Sequence, residues 1–291
     1  MNAAIQLPIS PKEASCRVLL IGAGSQLSRA LDEALDSRSC VFQHVSGSAA
    51  TLRHLKRAPC DVVITDPTTS IDEDLALLSE MRAVRPGVAM IVLAPESTPE
   101  EIIAALRARV FLVQSHPFDV DEIADYAVRA ASAADTISGI EVLSAQPDWV
   151  SLRANCEKLT AERLVAFLAQ LQTRLTEGTR EQLMFAFREI LMNALEHGAE
   201  FHPSKLVEVV AVQTQRAIVF YVRDPGSGFS WDEIPHAAVS NPSGAPIAHL
   251  ELREAMGMRP GGFGILTAKG IVDELIYSES GNEVLLIKHI S

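Results

Sequence analysis

The sequence predicts an α/β protein in two parts: an N-terminal doubly wound sheet of five parallel strands, then a C-terminal α/β sandwich with helices on one face of a mostly antiparallel sheet. Three observations lead to this fold class. In residues 17–131, short apolar runs alternate with segments of helical spacing, which is typical of a parallel sheet wrapped by helices. In residues 142–290, helical segments are combined with two strand–turn–strand pairs, which predict antiparallel hairpins. A stretch of small and polar residues separates the two parts.

In the first part, each predicted strand is a short apolar run. A helix is indicated after the first strand by the spacing of residues 27–35, and another after the third strand by Leu75, Leu78, Met81 and Val84. Thr98 and Pro99 predict the start of a helix, because threonine caps helix N-termini and proline fits the first turn. A last helix is predicted over residues 120–131. The five predicted strands cover residues 18–21, 41–45, 61–66, 88–93 and 110–113.

The second part begins with an alternating strand, residues 150–156, followed by a helix over about 161–175. A further helix is predicted from about Thr179 to Gly198, since glycine commonly ends a helix. Two hairpins follow, one on each side of a helix at residues 265–272; their strands are residues 206–212, 217–222, 275–278 and 283–290. We therefore expect an N-terminal tail (1–15), a first domain (16–132), a linker (133–140) and a second domain (141–291).

Composition limits the function classes. The chain has 291 residues, 48% of them hydrophobic, and a formal net charge of −12. This length is enough for two cores, and the acidic balance argues against a general nucleic-acid-binding surface. No charge-free stretch is long enough to span a bilayer, so we expect a cytoplasmic protein without a membrane partner. The four cysteines lack metal-type spacing and are expected to be unpaired in a reducing compartment.

Three motifs in the second part carry candidate chemistry. Glu189, Asn193 and His197 are spaced four residues apart, so on a helix they form one polar stripe beside the apolar face. Taken alone, such a stripe is typical of a surface helix. Two glycine-rich turns follow it: residues 224–229, Asp-Pro-Gly-Ser-Gly-Phe, after a strand, and residues 261–265, Gly-Gly-Phe-Gly-Ile, at the start of a helix.

The order Glu-x-x-x-Asn, Asp-x-Gly-x-Gly and Gly-x-Gly resembles the ATP-binding domain shared by histidine kinases, gyrase-type ATPases and anti-sigma-factor serine kinases. The resemblance covers roughly residues 142–290. It implies the α/β sandwich and binding of ATP with Mg²⁺. It also implies that residues 229–260, which contain four prolines, form a lid over the nucleotide, since long loops in compact domains are usually functional or disordered.

The resemblance assigns a role to each motif. Asn193 becomes the Mg²⁺ ligand, and its amide oxygen is a hard ligand suited to that ion. Asp224 accepts a hydrogen bond from the adenine amino group, which guanine lacks at that position. Glu189 lies near the γ-phosphate, either as general base or as the residue that organises the acceptor. His197 lies within the same nucleotide motif. Arg259 is either a γ-phosphate contact or a solvated lid residue.

The glycines have physical roles of their own. Gly226 and Gly228 let the backbone approach the base and turn with positive φ. Gly262 and Gly264 open a helix whose free N–H groups suit phosphate oxygens.

The first part resembles the receiver domain of response regulators in two-component signalling. Asp66, at the end of the third strand, lies in the phosphoacceptor place, and His116-Pro117-Phe118 matches the receiver's Lys-Pro-Phe turn. Gly22 and Ala23 replace the acidic pair that holds Mg²⁺, and Ala94 replaces the hydroxyl residue that ends the fourth strand. Since phosphoryl transfer to a carboxylate needs a metal and a cation, we predict a pseudo-receiver. Phosphorylation at Asp66 is the alternative.

Gly22-Ala23-Gly24 does not complete a dinucleotide-binding motif, because Leu27 stands where the third glycine belongs. Within the ATP-binding superfamily, the serine-kinase branch fits best: no histidine-bearing helical hairpin precedes the domain, and we expect no transducer domain after it.

We therefore predict a signalling regulator that phosphorylates a serine or threonine of a regulatory protein, such as an anti-sigma-factor antagonist or a sigma factor. A non-catalytic, ATP-dependent sequestering module and a histidine kinase acting in trans are the alternatives. The sequence leaves homodimerisation open.

Overall fold

The fold was analysed in a computed structural model that describes residues 16–22, 26–133, 139–230, 237–241, 244–245, 247–257 and 262–290. In the first part, five strands and five helices alternate along the chain. The sheet is parallel throughout, with the order β2-β1-β3-β4-β5, so the predicted doubly wound sheet is confirmed. The elements are β1 (Cys16–Ile21), α1 (Gln26–Asp36), β2 (Cys40–Val45), α2 (Ser48–Arg57), β3 (Val62–Thr65), α3 (Ile71–Val84), β4 (Ala89–Ala94), α4 (Pro99–Arg107), β5 (Leu112–Ser115) and α5 (Val120–Ser132).

Local sequence sets where these helices begin. Thr98 and Glu101 form a capping box at the start of α4, with Pro99 as the first helical residue, as the sequence predicts. Ser70 and Glu73 form the same arrangement at α3. In both boxes the backbone N–H groups that the first turn leaves free are bonded by side chains.

In the second part, six strands form an antiparallel sheet with the order β10-β11-β9-β8-β7-β6. The predicted mostly antiparallel sheet is confirmed. Its elements are β6 (Ile140–Gln146), β7 (Trp149–Asn155), α6 (Lys158–Leu171), α7 (Glu177–Asn193), β8 (Leu206–Gln213), β9 (Ala217–Arg223), α8 (Ala248–Ala255), α9 (Gly264–Ile271), β10 (Glu274–Tyr277) and β11 (Glu283–His289).

Strand β6 was not predicted. The pairing of β6 with β7 shifts register between Val142 and Ser144, and this irregularity removes the alternation of buried and exposed residues by which strands are recognised in sequence. The central strands do alternate, and their buried side chains face the helices; the rings of Phe187 on α7 and Phe220 on β9 lie 4.6 Å apart in this core.

Helix α6 joins the two parts. Its Arg163 is 2% exposed and donates a hydrogen bond of 2.8 Å from Nε to the carbonyl of Phe111, just before β5. The guanidinium also lies 4.5 Å from the centre of the Phe111 ring. Glu162 of α6 forms an ion pair with Arg129 of α5. The parts are therefore packed together, while the domain limits given above stay predictions; residues 134–138 of the expected linker lie outside the described residues.

The cysteines differ from expectation. Cys16 and Cys40, the first residues of paired strands, form a disulfide with their Cα atoms 4.7 Å apart. The expectation that all four are unpaired is wrong for this pair, because only the strand register brings the two together. Cys60 and Cys156 are free and buried. No helix within the described residues has both the length and the apolar character needed to cross a membrane.

Candidate functional site

Helix α7 presents the predicted polar stripe. It starts at Glu177, two residues before the predicted start, because the side chain of Thr176 caps it. The α-helical part ends at Asn193 and continues as one π-helical turn, Ala194–Gly198. A π turn has a wider hydrogen-bond spacing than an α turn, and His197 lies in this turn.

A cavity of about 610 Å³ lies between α7, the start of α9 and the ends of β9–β11. This volume is in the range of small-molecule sites. The cavity brings together most of the residues predicted from three separate motifs: Glu189, Asn193, His197, Asp224, Gly228, Gly262 and Gly264. Gly226 is not part of its lining, but contacts Asp224 directly.

Asp224 occupies one end of the cavity, immediately after β9. Its Oδ1 accepts a hydrogen bond of 2.8 Å from the N–H of Gly226. Partial burial raises the pKa of Asp224. Gly198, at the end of the π turn, lies so close that a Cβ there would overlap the Asp224 carboxylate. The carboxylate is thus held in place, and within the described residues its Oδ2 accepts no hydrogen bond, which leaves that oxygen for a donor on a ligand.

Two turns that contain glycine, one at Gly228 and one at Gly281, pack against each other beside Asp224. Gly228 has φ of 79°, and a Cβ there would overlap the carbonyl of Ser280. The N–H of Phe229 donates to that carbonyl at 3.0 Å. Tyr277 and Asn282 line the same end of the cavity. Tyr277 was not predicted, because it reaches the site only through the pairing of β10 with β11 and of β11 with β9.

The other end of the cavity is formed by the start of α9. Among the residues that the structure describes, no side chain caps this helix, so its first N–H groups are available to an anion. Gly264, its first residue, lies against the polar stripe: a Cβ there would be 2.9 Å from Oε2 of Glu189 and 3.4 Å from Nδ2 of Asn193. Gly262 has φ of 87°, a conformation that favours glycine.

Three cations that were not predicted also line the cavity: Lys158, Arg188 and Arg253. The guanidinium of Arg188 lies 3.5 Å from Oε1 of Glu189. Helical spacing places Arg188 on the solvent side of α7, and only the fold of the surrounding loops shows that this side borders the cavity.

These residues suit a metal-bound triphosphate. Within the described part of the chain, no group of three His, Cys, Asp or Glu residues could hold a metal ion by itself. A Mg²⁺ ion here would therefore take oxygen ligands from phosphates together with the Asn193 amide, a combination that Mg²⁺ commonly uses.

Residues 152–288 match the family model of the histidine kinase-like ATPase domain. The match contains every residue of the cavity described above. No protein in the curated set matches the chain. The comparison supports an ATPase-like fold for this half and nucleotide binding by it; it does not distinguish the serine-kinase branch from the others.

Solved receiver domains align with the N-terminal half. One from Methanospirillum hungatei is 13% identical over 41% of this chain and 96% of that chain, with a TM-score of 0.37. One from Francisella is 15% identical over 40% and 97%, also with a TM-score of 0.37. One from Clostridium thermocellum is 20% identical over 41% and 97%, with the same score. The strand order of this half, β2-β1-β3-β4-β5, indicates its receiver-like fold. This order is that of doubly wound proteins of the flavodoxin type.

Part of the predicted lid of the ATPase-like domain is described. It contains a short 3₁₀ turn, Ala238–Ser240, and α8. His249 is 1% exposed, its Nδ1 lies 2.8 Å from Nδ2 of Asn241, and its ring packs edge-on against Phe263. Arg259 lies outside the described residues, so its predicted role stays a prediction.

The predicted phosphoacceptor of the receiver-like half is buried. Asp66 is 1% exposed, and its Oδ1 accepts a hydrogen bond of 2.9 Å from the N–H of Thr68. Gly22 leaves no room for a side chain, because a Cβ there would overlap the Cβ of Asp66. Ala23 lies outside the described residues, and His116 is exposed. This packing favours the pseudo-receiver interpretation.

An ATPase-like domain joined to a receiver-like domain indicates a signalling regulator.

Proposed function

We propose that this protein binds Mg-ATP in the 610 Å³ cavity and phosphorylates a serine or threonine of a partner regulatory protein. One observation carries the proposal: Glu189, Asn193 and Asp224, from motifs far apart in the sequence, line the same cavity. A surface helix and two unrelated turns would not converge in this way.

Asp224 sets the choice of base in this proposal. Its Oδ2 accepts a hydrogen bond from the adenine amino group, while Gly226 and Gly198 keep the carboxylate in position. Guanine presents a carbonyl at the same place, so a carboxylate there would face another acceptor. A lost hydrogen bond to a charged group costs about 1.5–3 kcal/mol, and we expect GTP to bind about 10- to 100-fold more weakly than ATP.

The opposite end holds the phosphates. The N–H groups of Gly264 and the following residues face this end, and Lys158 and Arg188 add positive charge to the cavity lining. Asn193 supplies an oxygen to Mg²⁺, which neutralises phosphate charge when it is bound.

Glu189 is the proposed catalytic base. Its carboxylate lies beside Gly264, where the last phosphate is placed in this proposal. A serine hydroxyl becomes a better nucleophile as a base removes its proton, and a positioned carboxylate can do so. The hydroxyl oxygen would bond to the γ-phosphorus as the bond from that phosphorus to the β,γ-bridging oxygen breaks, so that ADP leaves and Glu189 takes the hydroxyl proton.

Nucleotide binding is tested by calorimetric titration of the full-length protein with Mg-ATP and Mg-GTP. The Asp224→Asn variant is the informative comparison, because an amide can donate to the guanine carbonyl. We expect the wild type to prefer ATP and the variant to lose that preference. Equal affinity of the wild type for both nucleotides would contradict the assignment of Asp224.

Transfer is tested with radiolabelled ATP and purified anti-sigma-factor antagonists as acceptors. The Glu189→Gln variant should retain ATP affinity and lose transfer, and the product should be acid-stable phosphoserine or phosphothreonine. An acid-labile product on histidine would instead support a histidine kinase acting in trans.

A sequestering module without transfer is the second candidate. It is favoured by the contact of 3.5 Å between Arg188 and Oε1 of Glu189, which occupies one oxygen of the proposed base. If wild-type protein binds ATP but transfers no phosphate to any acceptor, while ATP changes its affinity for one of them, this candidate replaces the kinase.

A further inference from the structure

A second cavity lies where the receiver-like half meets the ATPase-like half. Its volume of about 690 Å³ is in the range of small-molecule sites. Glu157 borders this cavity, and the next residue, Lys158, borders the cavity that holds ATP in the proposed function. The two cavities are therefore separate, and the start of α6 borders both. We call the second one the junction cavity, and its charged lining residues are Arg107, Arg109, Glu141, Arg153 and Glu157.

The receiver-like side of the junction cavity belongs to a basic edge of the parallel sheet. The segments that lead from α2, α3 and α4 into β3, β4 and β5 lie at the edge where these strands begin. Residues 46–60, 81–95 and 102–118, which contain these segments, carry three, two and two Lys or Arg residues and no Asp or Glu. In a chain with a net charge of −12, this composition concentrates positive potential at one edge.

The cations of this basic edge are not neutralised by carboxylates. Within the described residues none of them forms an ion pair, and Asp61, just after the first segment, is paired with Arg17. Arg82 and Arg107 donate hydrogen bonds to backbone carbonyls, which leaves their charge in place. Burial and the charge of Arg109 lower the pKa of Arg82, because like charges repel each other here. An anion bound at this edge would relieve that repulsion.

Arg109 differs from the other arginines of the junction cavity. It is exposed, and its side chain forms no hydrogen bond or ion pair within the described part of the chain. It follows the last turn of α4 with a φ of 57°, a left-handed conformation that glycine usually supplies after a helix. Arginine is less stable than glycine in that conformation. A residue held in an unfavourable backbone conformation beside a cavity is typical of functional sites.

The opposite wall of the junction cavity offers hydrogen-bond acceptors. Glu157 accepts a hydrogen bond of 3.1 Å from Nδ2 of Asn155. Glu141 is exposed and lies 3.8 Å from Arg153, whose closer contact, at 2.9 Å, is with Glu208. Since a carboxylate can accept several hydrogen bonds, Glu141 and Glu157 both retain free acceptor capacity. The cavity therefore has guanidinium groups on its receiver-like side and carboxylates on its ATPase-like side.

We propose that the junction cavity binds a small molecule that carries a phosphate group together with hydroxyl or amino groups, as sugar phosphates and nucleotides do. Arg107 and Arg109 hold the phosphate, because guanidinium groups match phosphate oxygens in geometry and charge. Glu141 and Glu157 accept hydrogen bonds from the hydroxyl or amino groups, which a free phosphate ion lacks. Such a ligand contacts both halves of the protein. It leaves the other cavity free, so this inference does not depend on ATP binding there.

The first experiment titrates the full-length protein with ribose 5-phosphate, AMP and inorganic phosphate by calorimetry. Ribose 5-phosphate and AMP should bind more tightly than inorganic phosphate, because only these two offer hydroxyl groups to the carboxylates. The tighter of the two assigns the site to sugar phosphates or to nucleotides. Absence of binding by all three probes in the millimolar range, or equal affinity for all three, would overturn the proposal.

Charge removal at Arg109 locates the bound probe. Arg109→Gln and Arg57→Gln each remove one positive charge from the basic edge, but Arg57, at the end of α2, lies outside the junction cavity. Loss of a charge-assisted hydrogen bond should weaken binding of the tighter probe about 10- to 100-fold in Arg109→Gln, while Arg57→Gln should bind it as the wild type does. An equal loss in both variants would show a general charge effect and contradict the site.

Arg109→Gly separates ligand binding from folding. Glycine suits a positive φ, so this variant should unfold at an equal or higher urea concentration than the wild type although it binds the probe more weakly. Gly264→Ala should leave binding of the probe unchanged, since Gly264 lines the other cavity. If Gly264→Ala weakens probe binding and Arg109→Gly does not, the probe occupies that other cavity, and the inference fails whether or not ATP binds there.

Discussion

Gly264 offers the sharpest test of the nucleotide site, since it joins the start of α9 to the polar stripe. In Gly264→Ala, the added Cβ would lie 2.9 Å from Oε2 of Glu189 and 3.4 Å from Nδ2 of Asn193. The first distance is too short for a stable contact, so the Glu189 carboxylate has to move. The methyl group would also stand where the phosphates approach the N–H groups of α9.

The effects on binding and on folding differ in this variant. Loss of about one hydrogen bond to a charged phosphate costs about 1.5–3 kcal/mol, which corresponds to roughly 10- to 100-fold weaker ATP binding. Folding should change little, because Glu189 is a flexible side chain that can turn aside, and alanine in a helix gains up to about 1 kcal/mol over glycine.

Gly270→Ala is the matched control. Gly270 is on the same helix, and a Cβ there would meet no atom within 4 Å. Both variants are compared with the wild type by titration with Mg-ATP and by urea denaturation. We expect weaker binding only for Gly264→Ala and equal or higher stability for Gly270→Ala. Wild-type affinity in Gly264→Ala, or an equal loss in both variants, would refute the placement of the phosphates at α9.

Three other predictions concern the receiver-like half and its junction. Burial raises the pKa of Asp74 from 3.8 to about 6; the folded state therefore holds this proton more tightly than the unfolded state, and stability should fall as pH rises from about 4 to 6, by about 3 kcal/mol in total. Asp74→Asn should remove that component in urea denaturation at several pH values, and an unchanged pH dependence would contradict it. Arg163→Ala should cost about 1–3 kcal/mol in the same assay, since the Phe111 carbonyl loses its buried donor; a cost under 1 kcal/mol would show that the contact is dispensable. Asp66, 1% exposed, should gain no phosphate from a small phosphodonor with Mg²⁺. If the protein gained the mass of one phosphate and Asp66→Asn abolished that gain, this half would act as a phosphorylated receiver after all.

Much of the architecture could be predicted because it depends on short-range patterns. Alternation of apolar runs with helical spacing gave the doubly wound sheet, and Thr98 and Pro99 gave the start of α4. The order of three short motifs was enough to predict that Asn193 and Asp224 share a cavity, which the structure shows. Their roles in catalysis and binding stay proposals.

Other features depend on contacts between distant segments. Neither the disulfide of Cys16 with Cys40 nor the presence of Tyr277 at the cavity could be found without the strand register. The position of Arg188 could not be predicted for the same reason. Helical spacing places it on the solvent side of α7, while the assembled fold places it beside Glu189 in the cavity.

The sequence by itself determined which segments form strands and helices and which polar side chains border the apolar faces, because those properties follow from periods of two and 3.6 residues. The tertiary structure decided which of these polar side chains lie opposite one another. Register and packing between distant segments depend on how whole elements fit together, and no local pattern encodes the contact of Arg163 with the Phe111 carbonyl.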